Sequence, residues 1–292
     1  MIPRVRRAFG MAMHFERLTR AVLAAWLVAS IVLAVTPPNT AEVFAQGGVD
    51  VNLDQWANLP GRGWQDWQNG SLNQTNSAYP EGGAVPFRLA IERLTPGTHS
   101  FFISYDFTAG GHKAYDFLAS YNLTESPNFC DFGGGAVSSL CPALPTPSTY
   151  SFPSDAYVAT GLIVSGAEAG VSRNLTIFGG TINSISGPIH AGDPNGNSTA
   201  EVAVTFTSSG SAVLLAWGGH LATSSYWDAA SGGSPDGAGQ ISGADWHMRT
   251  QNLDGLGARN QDRSIHASAI LASPTPTPAP SPTGVPATPT WI

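Results

Sequence analysis

Between residues 47 and 272 no stretch holds an apolar period of 3.6 for three turns, whereas short segments of alternating apolar and polar residues recur throughout. Period-two alternation puts one face of a strand in a core and the other toward water, so the chain has to be built from sheets. The segments are VDVNLDQWA (49–57), AVPFRLAIERL (84–94), HSFFISYDF (99–107), KAYDFLASY (113–121), GLIVSG (161–166), NLTIFGG (174–180), AEVAVTFTS (200–208), AVLLAWGG (212–219), DWHMRTQNL (245–253) and SIHASAIL (264–271). Turn chemistry separates them at Pro96-Gly97, Gly110-Gly111, Asp193-Pro194-Asn195-Gly196, Ser209-Gly210 and Asp254-Gly255. About ten strands of this length predict an all-β fold, a two-sheet antiparallel sandwich or jelly roll. Thr124–Ser154 carries little pattern and reads as a long insertion.

The ends differ from this domain. Residues 1–45 hold five arginines, then an apolar run from Ala21 to Val35, then Val43-Phe44-Ala45. That is the order of an export signal with cleavage after Ala45, and the run is short for a membrane span. A membrane association is expected only through an uncleaved signal. At the other end, 273–292 holds seven prolines from Pro274 to Pro289 and no charge, the composition of an extended spacer. The expected organisation is thus 1–45 export signal, 46–272 β-sandwich domain and 273–292 Pro/Thr-rich tail, in a secreted or cell-surface protein.

Cysteine and charge agree with that location. Cys130 and Cys141 flank a loop rich in Gly, Ser and Ala and are expected to pair in an oxidising compartment. Without residues 1–45 the chain keeps eight basic and eighteen acidic residues, a net charge of −10, and Lys113 is its one lysine. Such a surface repels phosphate backbones, so nucleic acid is not an expected partner. No cofactor is implied, and calcium is the cation such an acidic chain would take.

YDFTAGGHKAYDF (105–117) reads as a hairpin. Phe101, Ile103, Tyr105 and Phe107 share one face, and Tyr115, Phe117, Ala119 and Tyr121 share another. Pairing Tyr105 with Phe117 leaves Gly110-Gly111-His112 as a three-residue loop. That register sets Asp106 opposite Asp116, where like charges need water, a basic partner or a cation. With His112, His220, His247 and Asp262 these carboxylates form a candidate polar or metal cluster, though no spacing among them is diagnostic of a metal. No serine sits in G-x-S-x-G. Trp64 and Trp67, among Gln, Asn and Ser, are candidate sugar contacts, one of them expected to be exposed.

The combination of LNQTNSAYPEGGAVPFRL, YDFTAGGHKAYDFL, AWGGHLA and NQDRSI resembles a group of secreted bacterial β-rich domains found in large surface proteins that continue into prealbumin-like modules. The resemblance implies an extracellular location and a β-rich module, and it carries no functional residues. The expected function is a non-catalytic extracellular or cell-surface structural or adhesion module, with a glycan or a cell-surface protein as partner. A carbohydrate-binding module is the first alternative and a metal-dependent hydrolase the second.

Overall fold

The structure, a computed structural model, describes residues 48–131, 138–159, 170–230 and 236–271. The expected signal, the Pro/Thr tail and the 161–166 strand lie outside the described residues. Sixteen strands run along the described residues in the order β1 (Asp50–Ala57), β2 (Asp66–Gln68), β3 (Tyr79–Pro80), β4 (Ala84–Glu92), β5 (Gly97–Ala109), β6 (His112–Lys113), β7 (Tyr115–Ala119) and β8 (Ser148–Ser151). They continue as β9 (Asn174–Phe178), β10 (Gly180–Ile185), β11 (Ile189–Gly192), β12 (Ser198–Ser208), β13 (Ala212–Leu221), β14 (Asp245–Gln251), β15 (Gln261–His266) and β16 (Ile270–Leu271). Two short helices, α1 (Ala156–Ala159) and α2 (Ser224–Ala230), interrupt them.

The fold is an all-β sandwich. One seven-stranded sheet has the order β2-β1-β4-β13-β9-β8, with β7 also on β13. The other has the order β10-β12-β5-β14-β15, with β11 on β12 and β6 on β5. All pairs in both are antiparallel, and only the small β16-β3 pair is parallel. Alternation selects the inner faces. Val85, Phe87, Leu89 and Ile91 of β4, with Val213, Leu215 and Trp217 of β13, meet Phe101, Ile103, Tyr105 and Phe107 of β5 and Val202, Val204 and Phe206 of β12 in one core. Burying each such side chain is worth about 1.5–3 kcal/mol. There are more strands than the ten expected because several of two to five residues are too short to show a period.

The Tyr-Asp-Phe repeat is a correction. Gly110 and Gly111, at φ 59° and 87°, make a two-residue turn, with Ala109 paired to His112 and Thr108 to Lys113. Positive φ at both central positions is what such a turn demands. The hairpin then stops, and the chain crosses to the other sheet, where β7 pairs with β13. Tyr105 therefore faces Met248 and Ala200 across its ladders, not Phe117. The four aromatics Tyr105, Phe107, Tyr115 and Phe117 still share the one core, since both sheets contribute to it.

β4 and β13 are buried along nearly their whole length, on both faces. The unpatterned insertion explains this. Tyr121, Phe129, Leu140 and Leu144 pack on the outer side of the first sheet against Trp56, Trp67, Ala90, Phe178, Leu214 and Ala216, making a second apolar layer. The Cys130–Cys141 disulfide closes this cover. Beneath it Arg88 donates from Nε to Asp54 Oδ2 at 3.0 Å and from Nη1 to the carbonyls of Phe129 and Asp131.

Candidate functional site

The outer face of the second sheet stays polar because its strands alternate strictly. On β14, Trp246, Met248 and Thr250 point into the core, which turns His247 and Arg249 outward. β5 brings Asp106 beside them, and β15 brings Asp262, which pairs directly with Arg249. Arg249 Nη1 donates to Asp106 Oδ1 at 2.6 Å, and its Nε lies 3.4 Å from Asp262 Oδ2. Asp106 Oδ2 accepts the backbone N–H of His247 at 2.9 Å, and Asp262 Oδ1 meets His247 Nδ1 at 2.8 Å. Four side chains from three strands thus orient one another.

The electrostatics follow from that geometry. The hydrogen bond to Asp262 raises the His247 pKa above its ordinary value, against partial burial. Burial alone would raise the Asp262 carboxyl, but the hydrogen bonds and charges of His247 and Arg249 bring it below the usual carboxylate value. Burial lowers the Arg249 pKa, and Asp106 and Asp262 more than reverse that, so the guanidinium stays charged.

Asp106, His247 and Arg249 of this network line a cleft of about 430 Å³ together with Asn197, Thr199 and Asp245, while Asp262 braces His247 and Arg249 from outside that lining. Ala191, Gly192 and Ser198 separate it from a smaller pocket of about 90 Å³ that holds Tyr157 and His190. Tyr157 is 46% exposed, its ring 5.2 Å from that of His190 and edge-on to Phe107. His190 Nε2 is bound in turn to Asp155 at 2.7 Å.

The six candidate polar residues do not converge. Asp106, His247 and Asp262 are joined through Arg249 in one network, of which Asp106 and His247 line the cleft. Asp116 is on β7 in the other sheet, where Oδ1 binds His220 Nδ1 at 2.6 Å and Oδ2 accepts Trp227 Nε1 at 3.0 Å. His112 stands 3.8 Å from Asp236. The expected Asp106–Asp116 opposition is therefore overturned by the early end of the hairpin, and each carboxylate has its own basic partner. Among the described residues no group of three or more His, Cys, Asp and Glu side chains is placed to hold a metal ion. Trp67 is fully buried, its Nε1 donating to the carbonyl of Asn128, so its ring is not open to a sugar. Trp64 is half-buried against the main core. Tyr157, Asn197 and Thr199 escaped sequence reasoning, since nothing in the local pattern separates them from other loop and strand residues.

No protein family, curated protein or solved structure matches the chain. No helix among the described residues is long and apolar enough to cross a membrane.

Proposed function

We propose that this chain is an exported, non-catalytic adhesion module that holds a glycan in the cleft of its second sheet. The observation that carries the reading is the mutual fixing of Asp106, His247, Arg249 and Asp262. A surface whose donors and acceptors are already oriented loses little freedom when it meets a ligand rich in hydroxyls. Carboxylates engaged by guanidinium and imidazole are poor nucleophiles but good acceptors for sugar hydroxyls. The exposed ring of Tyr157, next to the cleft, supplies the apolar surface that a sugar ring face seeks. The disulfide and the signal-like first 45 residues support an extracellular location. A metal-dependent hydrolase finds less support, because its candidate ligands are distributed over separate pairs.

The test is a glycan array probed with the purified protein, with Thr199→Trp to fill the cleft and Tyr157→Ala to remove the ring. The reading expects signal on a restricted set of glycans, lost in Thr199→Trp and weakened in Tyr157→Ala, and the glycan recovered intact after long incubation. An array without signal, signal indifferent to both substitutions, or a cleaved glycan would each overturn it.

A further inference from the structure

Lys113 is the only lysine in the 292 residues, and every other Lys or Arg position is arginine. Arginine serves this chain both in the buried pair with Asp54 and on the partly open face with Asp106. The one lysine is itself buried, and its Nζ lies 3.0 Å from Asp236 Oδ2. Two aromatic rings also stand near Nζ. The Trp227 ring centre is 5.2 Å from Nζ and the Phe107 ring centre 5.9 Å, and both rings are buried. A guanidinium would serve as well or better for charge and hydrogen bonding. What a primary amine adds is a nitrogen that can form an amide with a carboxyl group.

The carboxyl group is held for attack. Asp236 Oδ1 accepts the backbone N–H of Lys113 at 3.0 Å, and His112 Nδ1 stands 3.8 Å from the same oxygen. Oδ2 is the oxygen turned to Nζ, which leaves Cγ one bond beyond it. The chain just after Asp236 is pinned independently. Ala238 N–H donates to the carbonyl of Ala222 at 3.0 Å, and Gly239 N–H to Glu81 Oε1 at 2.6 Å. A Cβ on Gly237 would stand 2.4 Å from the backbone nitrogen of Ser224, so this segment seats closely where it does. Contacts outside the pair thus help to hold the carboxyl beside the amine, and proximity of this kind is what intramolecular reactions gain from.

We propose that Lys113 and Asp236 condense into an intramolecular isopeptide bond. In the step a proton passes from Nζ to Oδ2 of the paired carboxylate, which frees the nitrogen lone pair. Nζ then attacks Cγ and the N–C bond forms. Charge developing on Oδ1 is met by the Lys113 N–H, as in an oxyanion hole. The Cγ–Oδ2 bond breaks, and Oδ2 leaves as water with the carboxyl proton and one amine proton. The products are a secondary amide and one water, with no oxidant and no activating group consumed. The bond would join residues 123 apart in sequence and tie the β5–β6 hairpin to the segment after α2.

Mass spectrometry of the purified chain decides it. The reduced wild-type protein is expected lighter than its sequence by one water, and digestion is expected to yield a branched peptide joining 113 to 236. Lys113→Arg and Asp236→Ala should both run at sequence mass. Wild-type protein at sequence mass, with Lys113 open to an amine-reactive reagent after denaturation, would overturn the proposal. The wild-type measurement stands whether or not the variants fold.

Discussion

Arg88 and Asp54 form an ion pair at 3.0 Å, each about 1–2% exposed, on the side of the first sheet that faces away from the main core. A lone ionised group there would be unaffordable, and burial does lower the Arg88 pKa. The pair persists because Arg88 also satisfies the carbonyls of Phe129 and Asp131 and stacks over Trp67 at 4.7 Å. It therefore fastens the disulfide-closed cover onto the sheet.

Arg88→Ala is expected to cost about 3–5 kcal/mol, since it takes the guanidinium away from buried Asp54 and from two carbonyls. Arg88→Met combined with Asp54→Leu should cost less than Arg88→Ala. Urea denaturation of the three proteins checks this, and equal losses would show that the pair does not act as a unit.

Opening the disulfide by Cys130→Ser with Cys141→Ser should cost about 2–3 kcal/mol, the value expected for a loop with 11 residues of separation. Adding Arg88→Ala to that variant should give less than the sum of the separate losses, because both devices hold one segment. Additive losses in thermal melts would show that the cover is fastened elsewhere.

Trp67→Ala should destabilise by about 3–5 kcal/mol, as for other buried aromatics, while half-buried Trp64→Ala should cost clearly less. If the glycan reading holds, neither substitution should abolish binding in protein that remains folded. Chemical denaturation and the array together report both effects.

The His247–Asp262 pair should make stability depend on pH in a defined window. His247 has a raised pKa in the fold, so its contribution is complete below about pH 6.5 and fades as pH rises through the folded value. Asp262 has a lowered pKa, so its contribution is complete above about pH 4 and is lost as pH falls through its folded value. The difference between wild type and Asp262→Asn should be greatest between about pH 4 and 6.5 and should shrink at pH 9. With side chains 31% and 50% exposed, the effect should stay below about 1 kcal/mol. Melting temperatures across this range check it, and a constant difference would count against the pairing.

Much of the fold was legible because alternation reports a local property. β1, β4, β5, β9, β12, β13 and β14 lie within a few residues of the segments marked by their period. β2, β6, β8, β10 and β11 did not stand out as strands of their own, since two to six residues are too few to establish a period against the background of loops. The candidate site was legible only as an inventory. Asp106, His247 and Asp262 were marked as residues able to do chemistry, but which of them meet depends on strands distant in sequence.

The hairpin shows the division most clearly. From the sequence alone, one can tell that Tyr105, Phe107, Tyr115 and Phe117 turn inward, that Gly110-Gly111 reverses the chain, and that the two cysteines pair. Side-chain direction, turn geometry and loop closure act over a few residues. Tertiary structure alone decided that the second strand leaves after Lys113 for the opposite sheet, and that the insertion covers that sheet with Arg88 and Asp54 beneath it. It also decided that Lys113 meets Asp236. Those outcomes turn on which distant surfaces exclude water together, and apolar burial is non-directional, so no local pattern announces its partner.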